Sequence, residues 1–157
     1  MTHKYINIYN NLIKLTRNKK LYKKTDNLDS FSDRLVIFLI HFAFFLKIYK
    51  KNNSKKVLQK IYDFIFRQVE LSIREIGYGD VSINSKMKKY INLFHLILIK
   101  IEKWDQTSFI EKKEFLVDNL NFQSELDYLI EYFDKYILFI SNNALNFSTK
   151  DVRSLNF

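Results

Sequence analysis

Along this 157-residue chain the apolar positions recur at intervals of three and four and almost never alternate by two, the spacing of helix faces and not of strands. The clearest stretch is 55–76, where Leu58, Ile61, Ile65, Val69, Ile73 and Ile76 fall on one side. Lys56, Lys60, Asp63, Arg67, Glu70 and Arg74 fall on the other. Two pairs, Asp63/Arg67 and Glu70/Arg74, sit four apart with the acid first, the order that supports a helix. Gly77 then ends it, at a position that favours positive φ.

The same reading places a helix from about Asp33 to Lys50, almost wholly apolar between Arg34 and Lys47 and therefore expected at the centre. A third helix is expected from Asn84 or Ser85 to Trp104, with Met87, Ile91, Phe94, Leu98 and Ile101 inward and Lys86, Lys89, Lys100 and Lys103 in water. Residues 4–17 predict a shorter amphipathic helix built on Tyr5, Ile8, Tyr9, Leu12, Ile13 and Thr16. Cap signals at Thr107 or Ser108 with Glu111, and again at Ser124, open two more, the second reaching Asn142 through Leu126, Ile130, Phe133, Ile137 and Ile140. Residues 143–157 hold no sustained period and are expected to form a docking tail. The expectation is all-α: one domain over 1–157, an irregular bundle of about six helices around a central apolar helix.

Composition narrows the chemistry. The chain has no cysteine, which removes disulfide scaffolds, thiolate zinc sites and cysteine nucleophiles, and it has no proline and two glycines, which argues against many tight turns. The net charge of +9 is unevenly placed: residues 1–104 hold 21 basic and 8 acidic side chains, residues 105–157 hold 5 and 9. The basic front part favours anionic partners such as RNA, a ribosome surface or lipid headgroups. Met1–Lys4 leads directly into mixed residues without the apolar run of a secretory signal, and Leu35–Leu46 is too short to span a bilayer. A cytoplasmic protein is the expectation, resting at most on a membrane face.

Catalytic motifs are missing. His41 and His95 lie on apolar helices with no second ligand at metal-binding spacing, and the common role of such a histidine is a buried, hydrogen-bonded one. Nucleophile elbows, Walker sequences and dinucleotide fingerprints do not occur. Glu70, Glu75 and Asp80 read as surface ion-pair partners. No cofactor or metal is expected and the chain is read as not an enzyme. Both glycines fall within Ser72–Asp80, "SIREIGYGD". A helix cap and a tight turn explain Gly77 fully and Gly79 partly. The alternative is a rigid corner that displays Arg74, Glu75 and Asp80 to a partner.

At these residues the sequence resembles the ubiquinol–cytochrome c chaperones, which assist assembly of the cytochrome bc complex. The family's block L-R-E-M-G-V-G-D-L-x-V stands here as Ile73–Ile83, and its K-x-M-K-K-M stretch as Lys86–Tyr90 followed by Phe94. Upstream, Arg17, Leu21 and Tyr22, then Asp29, Ser30, Arg34 and Leu35, then His41, then Asp63 and Phe66, follow the family's order over about residues 9–94. Lys19 replaces a proline, Asp33 a glycine, and Gln68 and Glu70 two aspartates. His95, Leu96 and Ile97 stand in place of a Y-G-R element. The resemblance implies a cytoplasmic assembly chaperone, peripheral at the inner membrane, that binds newly made cytochrome b. The signature residues Tyr22, Asp29, Arg34, His41, Arg74, Glu75, Gly77, Gly79 and Asp80 would hold or present the client surface. Further partners it admits are a ribosome exit region, an anionic membrane surface and a second assembly factor, with no DNA. The alternative reading is a basic helical protein that binds RNA or a ribosome surface.

Overall fold

Leu35–Phe45 is apolar on every side apart from His41, and every residue of it is buried, so this stretch forms the axis of the molecule. The computed structural model describes residues 2–22, 31–121 and 126–152. Within them run six α-helices: α1 Thr2–Thr16, α2 Phe31–Tyr49, α3 Lys55–Glu75, α4 Asp80–Glu102, α5 Phe109–Asn119 and α6 Leu126–Asn143. Short 3-10 turns follow at Lys19–Tyr22, Trp104–Gln106 and Asn146–Ser148, and no strand occurs among the described residues. The expected all-α bundle is what forms. Helix α2 packs against α1, α4 and α6, while α3 closes against α1 and α4.

Aromatic rings join these layers. Phe42 of α2 stacks on Phe94 of α4 at 5.2 Å, and Phe44 meets the Trp104 ring edge-on at 5.3 Å. Phe45 stacks on Phe147 beyond α6, also at 5.2 Å. Lys47, the one cation within α2's last turn, donates from Nζ to the carbonyls of Ile101 and Glu102, each at 3.0 Å. It thereby satisfies two of the orphan carbonyls at the end of α4. Asp33, which stands where the resemblance expected glycine, is buried and accepts from the Asn121 amide at 2.9 Å, tying the start of α2 to the chain leaving α5.

The α3–α4 corner follows the glycine argument in part. Gly77 has φ +103, beyond the last turn of α3, and its amide donates to the Arg74 carbonyl at 2.9 Å. Gly79 has φ −74 and ψ 164, the ordinary extended geometry of an N-cap, and its carbonyl accepts from Ile83 at 2.9 Å. Helix α4 therefore begins at Asp80, four residues before the expected Asn84. Val81, Ser82 and Asn84 are exposed, so the first turn carries almost no apolar period to announce itself. A Cβ at Gly79 would meet nothing within 4 Å. Gly77→Ala is expected to cost about 1–2 kcal/mol because an L side chain is strained at that φ. Gly79→Ser should change stability by less than about 0.5 kcal/mol, since serine also suits an N-cap. Urea unfolding of the two variants measures the difference.

The chain after α6 returns to α1. The docking expected of 143–157 is made, over the described part, onto the molecule's own first helix: Asn7 Nδ2 donates to Ser148 O at 2.9 Å, and Lys14 pairs with Asp151 at 2.7 Å. The expected opening of the last helix at Ser124 lies outside the described residues.

Candidate functional site

Helices α1, α2 and α3 do not meet along their whole length, and the gap between them is an open cleft of about 290 Å³. On α1, Ile8 and Leu12 are spent in the core, which turns Tyr9 and Ile13, one position round the helix, into the near wall. Phe31, Leu35 and Phe38 of α2 form the floor, and Val69 of α3 with Ile76 just beyond its end the far wall. The Tyr9 ring sits edge-on to Phe38 at 5.9 Å. The rim is polar: Arg17 after α1, Arg34 in the first turn of α2, and Ser72 and Glu75 near the end of α3. The hydroxyls of Thr16 and Ser72 are occupied by the carbonyls of Leu12 and Gln68, at 2.9 and 3.0 Å. Arg17 and Glu75 are exposed, and neither side chain has an ion-pair or hydrogen-bond partner among the described residues. An apolar trough with opposite charges on its lip can hold an amphipathic segment.

Arg74 and Glu75 are neighbours in sequence, but 100° per residue turns them to different surroundings. Arg74 reaches across the corner to Asp80 at 2.8 Å and back to Glu70 at 3.3 Å, and these two carboxylates, Asp80 foremost, hold its guanidinium above the usual value. Asp80, in the first turn of α4, also faces that helix's positive end. The three residues form a clamp on the turn at Gly77. Glu70 and Asp80 thus pair on the surface as expected, whereas Glu75 does not.

The remaining signature residues scatter. Tyr22 is half-buried and its hydroxyl donates to Thr16 O at 2.7 Å, fixing the 3-10 turn beneath α1. Asp29 lies outside the described residues. His41 is fully enclosed: its Nδ1–H donates to Ile37 O at 2.8 Å and its Nε2 accepts from the Tyr132 hydroxyl at 2.6 Å. Its ring cannot touch a client in this fold, so it is a strut between α2 and α6. His95, expected to be buried, is exposed and meets the Tyr62 hydroxyl at 3.2 Å. The cleft therefore gathers Arg34 and Glu75, together with Arg17, and leaves Arg74, Asp80 and His41 elsewhere.

The family model for the ubiquinol-cytochrome C chaperone matches residues 23–106, more than half of the sequence. The chain belongs to the ubiquinol-cytochrome C chaperone family. No curated protein and no solved structure matches it. The span characteristic of the chaperone family covers α2, α3 and α4, and with them the floor and far wall of the cleft and the whole Gly77 corner. The near wall on α1, with Arg17 and Tyr22, lies before it. No described helix is long and apolar enough to cross a membrane.

Several residues that hold the helices and the C-terminal segment together, away from the cleft, were not singled out by sequence. Asn11 is buried on α1 and holds the C-terminal segment; a polar residue between Ile8 and Leu12 on an apolar face was its signal. Tyr132 and Tyr136 flank His41, and Tyr136 donates to the His41 carbonyl at 2.9 Å. Trp104 Nε1 donates to Asp134 at 2.8 Å, joining the turn after α4 to α6.

Proposed function

We propose that this chaperone-family chain promotes assembly of the ubiquinol–cytochrome c reductase complex by binding newly made cytochrome b, and that the cleft between α1, α2 and α3 receives an amphipathic segment of that client. The observation that carries the reading is the meeting of Arg17, Arg34 and Glu75 at one apolar trough, although they come from three separate stretches of the sequence. A segment that emerges before its final partners are available exposes apolar side chains, and a trough of this kind shields them while its charged rim fixes direction. The role read here is binding and release.

Arg17→Glu with Glu75→Lys reverses both free charges of the rim. Both side chains are exposed, so the thermal midpoint should stay within a few degrees of the parent. Recovery of cytochrome b in pull-downs from solubilised membranes should fall about tenfold, the equivalent of one or two rim interactions. Ubiquinol–cytochrome c reductase activity in cells carrying the double variant should fall with it. Undiminished capture by the double variant would remove the cleft from the mechanism; absence of cytochrome b from the wild-type pull-down would remove the client itself.

A further inference from the structure

Helix α4 presents two contrasting faces. Inward, Ile83, Tyr90, Phe94, Ile97 and Ile101 are buried. Outward, the exposed positions advance by fours and threes from Val81 through Lys88 and Asn92 to Leu96, Ile99 and Lys103, with Lys89 and Lys100 beside that line. Val81, Leu96 and Ile99 are 86%, 64% and 73% exposed. All four lysines are exposed, and none pairs with a carboxylate among the described residues. The acids at the two ends of the helix are engaged elsewhere, Asp80 with Arg74 and Glu102 with Lys50 at 3.0 Å. On one flank Glu111, Glu114 and Asp118 of α5 line the far side of a groove at Leu96 and Lys100, and so bound the cationic strip.

Bare aliphatic side chains set among ammonium groups suit one kind of partner. RNA is gripped by stacking on aromatic rings and by arginine, and this strip has neither. An anionic bilayer matches both halves: the branched side chains enter the boundary of the acyl region while lysine stems lie along it and place their charges among the headgroups. We propose that α4 docks the protein flat on an anionic lipid surface through Leu96, Ile99 and the lysines at 88, 89, 100 and 103. The contact is a shallow one, reaching no deeper than the boundary of the acyl region. The cleft is lined by α1, α2, α3 and the residues flanking them, with no residue of α4; the lipid contact stands whether or not cytochrome b is the client.

Flotation of the full chain with vesicles tests this. The protein should bind vesicles of phosphatidylcholine containing about one third cardiolipin, less so as salt rises, and should ignore phosphatidylcholine alone. Lys88→Gln, Lys89→Gln and Lys100→Gln together should lower partitioning about a hundredfold, at about fivefold per lysine. Removing the same charge from α3, by Lys55→Gln, Lys56→Gln and Lys60→Gln, should lower it by less than about fivefold. Leu96→Ser with Ile99→Ser should lower it about tenfold at unchanged net charge. Circular dichroism confirms that each variant folds. Equal loss from the two lysine triples would reduce the effect to net charge and overturn the proposal. So would binding to phosphatidylcholine alone, indifference to Leu96 and Ile99, or displacement from vesicles by single-stranded RNA that depends on the same lysines.

Discussion

Acidification from pH 6.5 to about pH 4 is expected to remove about 3 kcal/mol of folding stability through His41 alone, because burial lowers its pKa from 6.5 to about 4. The sign follows from which form the fold prefers. The enclosed ring is stable when neutral, so the folded-state pKa lies below the unfolded one. Its contribution is complete above 6.5, is lost as the unfolded chain takes up a proton that the folded chain refuses, and stops changing below about 4. Desolvation is the main cause; the hydrogen bond to the Ile37 carbonyl works the other way and only partly offsets it. The ring's neighbours are Tyr132, Phe133 and Tyr136, and the two phenols are themselves held protonated by burial. Urea unfolding at a series of pH values should give a falling midpoint across that window. His41→Leu should flatten it. A parent protein whose stability is flat between pH 6.5 and 4.5 would contradict the assignment.

The same pair separates polar bonding from packing. His41→Leu removes the acceptor that lies 2.6 Å from the Tyr132 hydroxyl, and Tyr132→Phe strands the Nε2 of a buried imidazole. Each single change should cost about 1–3 kcal/mol at neutral pH. The double variant removes both polar ends, so its cost should fall short of the sum by about 1 kcal/mol or more.

Helix period was readable wherever one face is wholly buried, which is why α3 and the apolar α2 could be placed from sequence. It failed at the first turn of α4, where Val81 faces water. It also misplaced the inward line of that helix: Ile83, Tyr90, Phe94, Ile97 and Ile101 are buried, Met87, Ile91 and Leu98 only partly so, and His95 is left outside. Gly77 could be assigned because one backbone angle demands it. The resemblance named Arg34 and Glu75, but no local pattern says that they share a trough while Arg74 does not. That fact depends on how three helices are set against one another, and such settings are fixed by the summed shape of Tyr9, Phe38, Val69 and their neighbours. The charge division at Trp104 was likewise plain in sequence, yet the acids beyond it serve in part as anchors, Asp134 for Trp104 and Lys112, and Asp127 for Lys113.

Asn11→Ala is expected to release the segment from Asn146 to Val152 from α1 and to cost about 3 kcal/mol. The Asn11 side chain uses both amide hydrogens and its carbonyl on this segment: Nδ2 donates to Phe147 O and Lys150 O, each at 2.8 Å, and Oδ1 accepts from the Val152 amide at 2.9 Å. Alanine leaves three backbone groups without partners, at about 1 kcal/mol or more for each that stays buried. The cheaper response is for the segment to lift away and meet water, which forfeits the packing of Phe147 against Phe45 and Phe139. Asn11→Asp separates the two contributions. An aspartate keeps the acceptor for Val152 but turns an oxygen toward two carbonyls, so its loss should match or exceed that of alanine and grow as pH rises and the carboxyl ionises. Lys14→Ala breaks only the half-buried pair with Asp151 and should cost about 1 kcal/mol. Hydrogen exchange at the Val152 amide, with limited proteolysis after Asn143, reads the release directly. Protection at Val152 in Asn11→Ala equal to the parent would mean that Phe147 alone holds the end of the chain, and that the asparagine is a passenger on a hydrophobic contact.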